Sequence, residues 1–498
     1  MTERNCDILV IGGGGSGMVA AVRAAEQGKK VIVLEKAKFV GGGMLFASTM
    51  RTFRSQWQAQ RNIPDQTVDF IRQMMDLTMW RLDPELVRAA ILGTGQFFDW
   101  YSAQETPDQL ERYEPRPYIF DIPVGGQVGP QVDVFHRGSG EMIIKCMTRR
   151  CQELGVEVLT QHRAVDAETE NGKISAIVAD TPEGQVKFNC SAVILACSSW
   201  INNEEVMKKV LPEFLEAELI PNAHQNPAYT GDGLPIAEKL GAFVDWDSFC
   251  LRIMGPLCGM GDHSKFDSLT KDPCNVLITA EGKRFAAEPL VPRMDPFDVG
   301  HVLLKLPKAQ TWFLYSRNTM RHIIKGTQEN LEAQAHGPFS VPALPDLAVV
   351  EGWFEEAIAQ GRVEVAKGNT LRELAIHLGM DPEVLQATVE RYNASCALGE
   401  DVDFCKQADG LLPLEEGPFY AMKGKLGTDG AFGGVRVNKD MQAYAAGGGL
   451  VEGLYVTGDF ASGRHIVLDG IKRQVLNDMS WALASGYIAG AKAAERLN

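Results

Sequence analysis

A run of glycines near the N-terminus has the spacing that lets a backbone approach a phosphate group. Gly12, Gly14 and Gly17 form the pattern G-x-G-x-x-G. In this pattern the first glycine allows a tight turn, the second admits a pyrophosphate, and the third lets a helix pack closely on a strand. Glu35 follows Gly17 by 18 residues, where a carboxylate binds ribose hydroxyls. The pattern predicts a dinucleotide site and leaves FAD and NAD both open.

The elements that must position these glycines are predicted in the order strand, turn, helix, strand. Residues 7–11 form a short apolar run, 18–27 show alanine-rich helical periodicity, and 31–34 form a second apolar run. In such a βαβ unit the helix N-terminus faces the phosphates. Near the other end of the chain, Gly458 and Asp459 follow a predicted strand. FAD enzymes commonly close on the ribityl chain with a segment of this kind, which favours FAD.

The remaining elements alternate between helices, short strands and proline-rich loops. A helix is predicted to start at Asp83-Pro84-Glu85, which supplies an N-cap, a first-turn proline and an acidic first turn. Residues 112–130 are rich in Pro and Gly and predict a loop, and between 250 and 410 proline-bearing loops alternate with helices. The other predicted elements are helices over 141–154, 382–392 and 477–496 and strands over 156–159, 164–167, 174–179, 186–189, 192–196 and 453–457.

Composition excludes several classes of partner. The 498 residues include 49 Lys and Arg against 64 Asp and Glu, so the formal net charge is −15. That balance argues against nucleic acid or an anionic membrane as a bulk partner. We expect a cytoplasmic protein with no transmembrane segment, since we find neither a bilayer-length apolar run nor a secretion signal. None of the ten cysteines forms a C-x-x-C pair, so we predict no metal site and no iron–sulfur cluster.

Several short motifs occur together, in an order typical of one family. The chain resembles the flavoprotein subunit of fumarate reductases and succinate dehydrogenases, a family that includes urocanate reductase-like enzymes and 3-ketosteroid dehydrogenases. The resemblance implies an α/β fold, a Rossmann-like FAD-binding domain formed by 1–250 and 415–498, with an inserted α+β capping domain over 251–414. The motifs are Leu34-Glu35-Lys36, Gly41-Gly42-Gly43, Thr230-Gly231-Asp232-Gly233, Gly282-Lys283-Arg284-Phe285, Glu390-Arg391-Tyr392-Asn393, Pro418-Phe419-Tyr420-Ala421 and Gly453-Leu454-Tyr455-Val456-Thr457-Gly458-Asp459.

The resemblance also implies which residues contact the cofactor. Val165 would meet the adenine through its backbone. The first histidine in the chain is His136, so no histidine near 41–50 is available for a covalent link, and we expect non-covalent FAD. The residues implied to bind FAD are Gly12, Gly14, Gly15, Ser16, Gly17, Glu35, Lys36, Gly42, Gly43, Met44, Val165, Ala196, Asp232, Gly458, Asp459 and Asn477.

The reaction implied by the resemblance is reduction of a C=C bond conjugated to a carboxylate. Hydride would come from flavin N5, and Arg293 would donate the proton, with Glu288 as a possible relay. His465 and Arg473 would bind the acceptor group of the substrate, since an arginine can hold a carboxylate through two parallel hydrogen bonds. Asn477 follows Arg473 at the family spacing of four residues.

Two departures from the family pattern argue against fumarate itself. The stretch 249–256 contains no histidine where the family has one that binds the substrate, although Arg252 could substitute. The usual A-T-G-G after the last strand of the first part is Ala196-Cys197-Ser198-Ser199. A larger substrate with one carboxylate or a ketone therefore fits better than a dicarboxylate.

Two other functions stay open. A dehydrogenase of the 3-ketosteroid type would use tyrosines as acid and base, with Tyr118, Tyr229 and Tyr420 as candidates. A flavin-binding subunit without turnover of its own is the other. Because the chain shows no haem, FMN or iron–sulfur motif, we expect an external electron donor or acceptor such as a flavin, a quinone or a redox protein.

Overall fold

The structure is a computed structural model whose described residues fall into two compact units. The first unit comprises Met1–Leu211, His224–Leu251 and Gly430–Asn498, and the second comprises Pro212–Ala223 and Arg252–Asp429. The domains predicted from the sequence stay a prediction, as does the role of 251–414 as a cap. The described residues are 2–117, 132–135, 139–197, 199–220, 227–261, 264–288, 299–329, 343–463, 465–468, 471–474, 476 and 478–498.

Helices and strands are numbered here in chain order. The α-helices are α1 Gly15–Ala25, α2 Gln56–Gln60, α3 Thr67–Leu77, α4 Pro84–Ser102, α5 Pro107–Leu110, α6 Ser139–Glu153, α7 Glu204–Val210, α8 Gly233–Lys239, α9 Arg317–Glu329, α10 Leu347–Ala359, α11 Leu371–Leu378, α12 Pro382–Leu398 and α13 Asp478–Glu495. The strands are β1 Thr2–Asn5, β2 Ile8–Ile11, β3 Val31–Glu35, β4 Thr49–Arg51, β5 Glu114–Pro117, β6 Val132–Phe135, β7 Glu157–Thr160, β8 Arg163–Glu170, β9 Lys173–Thr181, β10 Gly184–Asn189, β11 Ala192–Leu195, β12 Cys250–Cys258, β13 Val276–Ile278, β14 Thr311–Tyr315, β15 Val365–Gly368, β16 Phe419–Phe432, β17 Val435–Arg436, β18 Gln442–Tyr444, β19 Leu450–Val456, β20 Ala461–Ser462, β21 His465–Leu468 and β22 Ile471–Gln474.

The core of the first unit is a six-stranded sheet in the order β18-β19-β11-β2-β3-β7. Strands β19, β11, β2, β3 and β7 run parallel, and β18 adds an antiparallel edge. Every residue of β2 and β11 is buried, which explains their continuous apolar sequences, because helices cover both faces of such a sheet. The predicted Rossmann-like α/β fold is confirmed.

The C-terminal part of the chain completes this sheet and its main helix packing. Strand β19 pairs with β11, so the sheet needs a segment that follows the whole second unit in sequence. Helix α13 then packs along α1, and two of its glycines come against the α1 backbone. A Cβ atom on Gly486 would overlap the carbonyl oxygen of Ser16, and one on Gly490 would overlap that of Ala20. Glycines at these two positions therefore allow the closest approach of the two helices.

One interval predicted as loop contains a strand. Glu114–Pro117 forms β5, which pairs with β6 in a three-stranded sheet of order β4-β6-β5. The two prolines are tolerated because β5 is an edge strand, where a missing N–H need not break the ladder. The prediction of loop throughout 112–130 is therefore wrong for these four residues, and 118–130 lie outside the described residues.

The second unit is built on a five-stranded sheet with helices packed on it. Four strands follow the order β12-β16-β14-β13, and β15 also pairs with β16. Helix α12 begins as predicted, with the Asp381 side chain accepting a hydrogen bond from the Glu383 N–H. Two apolar clusters form the core, one around Phe313, Phe354 and Tyr420 and one around Leu314, Leu374 and Tyr392. No helix in the described part of the chain is both long and apolar enough to cross a membrane.

Four charged side chains form a buried cluster in the second unit. Arg284 Nη2 lies 2.8 Å from Glu288 Oε2 and 2.9 Å from Asp401 Oδ2, and Lys406 Nζ lies 3.7 Å from Glu288 Oε2. All four side chains are at most 4% exposed. Burial lowers the pKa of Lys406 from its ordinary value, and the Glu288 charge opposes that effect. Two cations and two anions thus offset one another where water is excluded.

We expect this cluster to be a strong stability determinant of the second unit. Arg284→Met would leave two buried carboxylates with one cation, and it should lower the local free energy of unfolding by about 3–5 kcal/mol. Arg372→Met removes an exposed ion pair with Glu383 and should cost less than about 1 kcal/mol. Hydrogen exchange of peptides from the second unit measures both values. Equal effects of the two substitutions would contradict the prediction.

Candidate active site

The glycine turn between β2 and α1 is held by backbone contacts. Gly12 has φ +112, its N–H donates to the carbonyl oxygen of Leu34 over 2.8 Å, and a Cβ atom there would overlap the carbonyl oxygen of Ala196. A Cβ atom on Gly17 would overlap the carbonyl oxygen of Gly12. Both glycines are thus required by the fold itself. Ala196, predicted to bind FAD, lies directly beside this turn.

The middle of the turn leaves room for a ligand. Among the described residues other than its chain neighbours, a Cβ atom on Gly14 would meet no atom within 4 Å, whereas one on Gly15 would collide with Met44. Gly14 is the N-cap of α1, whose first turn contains no acidic residue. The positive end of the α1 helix dipole therefore lies at a space suited to an anion. The arrangement suits the pyrophosphate predicted at Gly14, and Gly15 and Ser16, also predicted to bind FAD, follow it directly.

A second glycine turn contacts the first. Gly41 N–H donates to the Gly13 carbonyl oxygen over 2.8 Å, and a Cβ atom on Gly42 would lie 3.8 Å from Gly14 Cα. A 3₁₀ turn then runs over Gly42–Phe46 and buries Met44. Three residues predicted separately for FAD binding, Gly42, Gly43 and Met44, are therefore brought to the first glycine turn.

Glu35 lies at the end of β3, as predicted, and its carboxylate connects the first glycine turn to the segment that follows β3. It accepts hydrogen bonds from the N–H of Gly13 over 2.8 Å and from the N–H of Ala37 over 2.7 Å. These bonds fix the carboxylate beside the first glycine turn. Binding of ribose hydroxyls by Glu35 stays a prediction.

The carboxylate of Asp232 forms ion pairs with two cationic side chains from different parts of the chain. Its carboxylate lies 2.8 Å from Lys36 Nζ and accepts two hydrogen bonds of 2.9 Å from Arg163. The Thr230 hydroxyl donates to it over 2.7 Å. Burial alone would raise the pKa of Asp232, but the hydrogen bonds from Arg163, Lys36 and Thr230 outweigh that effect and hold it well below its ordinary value. Lys36 and Asp232, both predicted for FAD, are thus in contact.

Val165 occupies an irregular position in an edge strand. In the pairing of β8 with β9, Ala164 faces Ala179 and Asp166 faces Val178, which leaves Val165 without a partner residue. Strand β8 is at the edge of its four-stranded sheet, so its other side has no neighbouring strand in that sheet. A bulge of this kind re-aims the local backbone. This geometry suits the predicted contact between the Val165 backbone and an adenine.

The C-terminal turn is fixed by α13 and lies against the start of α1. Gly458 has φ +66, and its N–H donates to Ser485 Oγ while its carbonyl oxygen accepts from Trp481 Nε1 over 2.7 Å. A Cβ atom on Gly458 would lie 2.8 Å from Ser16 Oγ. The buried hydroxyl of Thr457 has no hydrogen-bond partner among the described residues. Ser16 and Gly458, predicted from opposite ends of the chain, are adjacent, and Asp459 follows directly.

The residues predicted to bind the substrate are only partly described. His465 lies in β21 and Arg473 in β22, which pair as an antiparallel hairpin with His465 opposite Gln474 and Ile466 opposite Arg473. Their backbones are therefore close, and the roles of their side chains stay predictions. Arg293 and Asn477 lie outside the described residues.

Glu288 and the candidate tyrosines lie in defined surroundings. The Glu288 carboxylate accepts hydrogen bonds from the Leu277 N–H and from Arg284, inside the buried charge cluster. Tyr420 is fully buried, and its hydroxyl donates to Glu351 over 3.0 Å. Burial, followed by the Glu351 charge, raises the pKa of Tyr420 well above its ordinary value. Tyr229 differs, since its hydroxyl would lie 2.7 Å from a Cβ atom on Gly43.

The sequence did not predict the residues that hold the candidate site residues in place. Arg163 fixes Asp232, and Trp481 and Ser485 fix the turn at Gly458. The spacing of four residues between Gly486 and Gly490 in α13 indicates close helix packing, which could have pointed to Trp481 and Ser485. Arg163 carried no such signal, because its contact depends on β8 and the Asp232 segment meeting in space.

Comparison with known proteins identifies the family. The chain matches the family described as FAD binding domain over residues 7–470. It belongs to that family, and it is an FAD-dependent oxidoreductase. The resemblance predicted from its sequence motifs is confirmed.

Curated relatives of known activity cover most of the chain. Vinyl phenol reductase of Lactiplantibacillus plantarum is 26% identical over 473 residues, which is 92% of this chain and 90% of that protein. Urocanate reductase of Eggerthella lenta is 27% identical over 507 residues, which is 98% of this chain and 74% of that protein. Both relatives are reductases by name.

Solved structures share the fold. The open conformation of a flavocytochrome c3 fumarate reductase matches with a TM-score of 0.70 and 21% identity, over 99% of this chain and 78% of that chain. The 3-ketosteroid-Δ4-(5α)-dehydrogenase of Rhodococcus jostii RHA1 matches with a TM-score of 0.68 and 20% identity, over 99% of this chain and 98% of that chain. These likenesses confirm the fold.

Two glycine substitutions separate cofactor binding from folding. Gly14→Ala places a Cβ atom in open space, so the apoprotein should unfold within about 0.5 kcal/mol of the wild type. The same Cβ atom would occupy the space for the pyrophosphate, and FAD should not be retained. Gly17→Ala forces an overlap with Gly12 and should destabilise the protein whether or not FAD is added. Flavin absorbance after gel filtration and thermal unfolding measure the two effects; retention of FAD by Gly14→Ala contradicts the assignment.

The Asp232 contacts should give a stability contribution that depends on pH. Because the pKa of Asp232 is lowered in the folded protein, its stabilisation is present above the ordinary value of about 4 and is lost as the pH falls further. The unfolding midpoint of Asp232→Asn should therefore fall below wild type at pH 6, and the gap should narrow below pH 4. Asp69→Asn, at an exposed pair with Arg72, should show little gap throughout. A pH-independent gap for Asp232→Asn contradicts the prediction.

Proposed function

We propose that this oxidoreductase reduces the C=C bond of an α,β-unsaturated carboxylate other than fumarate. The observation that carries the proposal is the likeness, over 92% and 98% of the chain, to two curated enzymes named as reductases of vinyl phenol and of urocanate. The residues predicted to bind FAD support it, because their arrangement in the first unit suits a pyrophosphate and an adenine.

The proposed division of labour follows the chemistry of conjugate reduction. FAD, held by the residues predicted at the glycine turns of the first unit, would supply the hydride for one alkene carbon. His465 and Arg473 hold the acceptor group of the substrate, and Arg473 suits a carboxylate because a guanidinium offers two parallel donors. Charge that develops on the acceptor oxygen during reduction is stabilised by the same donors.

Arg293 is the proposed proton donor to the second alkene carbon. A guanidinium is a poor acid in water, so this role requires a site from which water is excluded and in which another cation favours proton release. Glu288 is the proposed relay, with its carboxylate already accepting hydrogen bonds from Leu277 and Arg284. Burial of this carboxylate supports a route that does not pass through bulk water.

The proposed substrate carries one acceptor group and an apolar body. The stretch Phe249-Cys250-Leu251 is buried and apolar, and it lacks the histidine that the family uses for a second carboxylate. Arg252, which follows it, is also buried. A vinyl phenol, the substrate named for one relative, is an aromatic molecule without two carboxylates. These features together favour an aryl-substituted enoate over a dicarboxylate.

An external electron donor and a cytoplasmic location complete the proposal. A free reduced flavin, a quinol or a redox protein would reduce the bound FAD, since the cysteine spacing provides for no iron–sulfur cluster. All ten cysteines are free, which suits a reducing compartment. FAD held without a covalent bond is part of the same proposal.

A dehydrogenase acting on a ketone is the second candidate. The hydroxyl of Tyr229 lies beside Gly43, in the turn assigned to FAD, where an acid or base could reach a bound ketone. Tyr420 does not suit this role, because it is buried in the core of the second unit against Glu351. Tyr118 lies outside the described residues. Tyr229→Phe would abolish activity only under this candidate.

An anaerobic reoxidation assay tests the proposal. The bound FAD is photoreduced and mixed with fumarate, urocanate, a vinyl phenol, an aryl-substituted acrylate or a 3-ketosteroid enone. We expect the aryl acrylate to reoxidise the flavin fastest and Arg293→Ala to slow that step by about 100-fold or more, as loss of a general acid does. Flavin content and reduction potential should stay unchanged in this variant.

Matched variants and the competing outcomes complete the assay. Arg293→Lys should restore part of the rate, and Arg372→Ala, at an exposed ion pair, should leave it unchanged. An undiminished rate in Arg293→Ala overturns the acid assignment. Reoxidation by the steroid enone alone, lost in Tyr229→Phe, supports the dehydrogenase. Reoxidation by none of the compounds identifies a flavin-binding subunit without turnover.

A further inference from the structure

Three potential metal ligands meet at one place in the second unit, outside the FAD site. The carboxylate of Asp272, the thiol of Cys274 and the imidazole of His322 each offer one atom, and these atoms lie within 4.8 Å of one another. Asp272 and Cys274 stand two residues apart, whereas His322 comes from α9. Folding alone therefore creates the cluster, and no sequence spacing could have indicated it.

The turn that carries Asp272 and Cys274 is rigid. The Asp272 carboxylate accepts a hydrogen bond from the Cys274 N–H over 2.8 Å. The next residue, Asn275, donates from Nδ2 to the Leu269 carbonyl oxygen over 2.8 Å, and its own carbonyl oxygen accepts from Lys406 Nζ over 2.6 Å. The turn is thereby tied to the buried charge cluster. Two of the ligands are held in fixed positions before any ion binds.

Helix α9 brings the third ligand to this turn and leaves space beside it. The side chain of His322 is exposed and makes no hydrogen bond or ion pair with the described part of the chain, so its ring is free to rotate onto an ion. One turn further along the helix, Gly326 lies next to the same carboxylate. A Cβ atom on Gly326 would be 3.8 Å from Asp272 Oδ2. The absence of a side chain at this helical position keeps the carboxylate open.

The thiol of Cys274 is the ligand in this cluster that must lose a proton when it binds a metal ion. Cys274 is buried and interacts with Asp272 through a hydrogen bond. A thiol that coordinates a divalent cation is deprotonated, so the ion takes the place of the thiol proton. Binding forms one metal–sulfur bond, breaks the S–H bond and releases one proton to solvent.

We propose that Asp272, Cys274 and His322 form a binding site for a Zn²⁺-type divalent ion, with a water molecule as fourth ligand. One sulfur, one imidazole nitrogen and one carboxylate oxygen are ligands typical of zinc, whereas magnesium and calcium take oxygen ligands alone. Ligand atoms around tetrahedral zinc are about 3.3–3.8 Å apart given bonds of about 2.0–2.3 Å. The three ligand atoms lie within 4.8 Å of one another, so each separation exceeds that spacing by at most about 1.5 Å.

Cobalt substitution tests the site in the FAD-loaded protein. The protein is freed of metal with a chelator and titrated with Co²⁺, and absorption is followed beyond the red edge of the flavin spectrum. We expect the intense bands of tetrahedral cobalt to saturate at one ion per chain and to disappear when Zn²⁺ is added. Cys274→Ser should abolish these bands, and His322→Gln or Asp272→Asn should weaken Co²⁺ binding at least about tenfold, by analogy with losses in other metal sites.

Control variants distinguish this site from casual binding at the surface. Cys405→Ser and His377→Gln remove an exposed cysteine and an exposed histidine elsewhere in the second unit and should leave the bands unchanged. Flavin content and the unfolding midpoint without metal verify that each variant is folded. Equal Co²⁺ spectra for wild type and Cys274→Ser overturn the proposal, as do bands of octahedral cobalt alone.

Discussion

The close approach of backbones around α1 is the constraint on which the first unit depends. At its start the helix meets the Gly12 carbonyl oxygen, and only a glycine at position 17 fits there. On its other side Gly486 and Gly490 of α13 contact the backbone at Ser16 and Ala20. At these glycines the backbones touch with no side chain between them, so α1 cannot shift without a backbone clash. The N–H groups at its N-terminus are therefore fixed in position before a phosphate arrives, which reduces the ordering that binding must supply.

The same packing makes the cofactor site depend on the end of the chain. Trp481 and Ser485 project from α13 and hold the turn at Gly458, which in turn lies against Ser16. Strand β19 adds the neighbouring strand next to β11. The predicted FAD site thus combines residues from the first fifty and the last fifty positions with Val165, Ala196 and Asp232 from the segments between them. The second unit is inserted within the sequence of the first unit. The first unit is therefore complete only with the segment Gly430–Asn498, which follows the insertion.

Features that depend on backbone geometry are easier to predict from the sequence than contacts that depend on a particular side chain. Gly12, Gly14 and Gly17 carry their roles in their residue type and spacing, and the strands beside them are buried along their whole length. Arg163 could not be found in this way, because its partner Asp232 is distant in sequence. The edge strand β5 was missed since its prolines suggest a loop, and they are tolerated only where one side of the strand has no partner.

Local arrangement of charge says more about function than the net charge of −15. In the first unit Lys36 and Arg163 converge on Asp232, and in the second Arg284 and Lys406 converge on Glu288. Each of these two carboxylates pairs with two cations, and both cations at Asp232 come from segments distant in sequence. In the buried cluster of the second unit, removal of one charge is destabilising because the remaining charge is costly to bury. A chain with a net negative charge therefore still contains local clusters of cations. The fold determines which of these clusters stabilise loops and which can bind an anionic ligand.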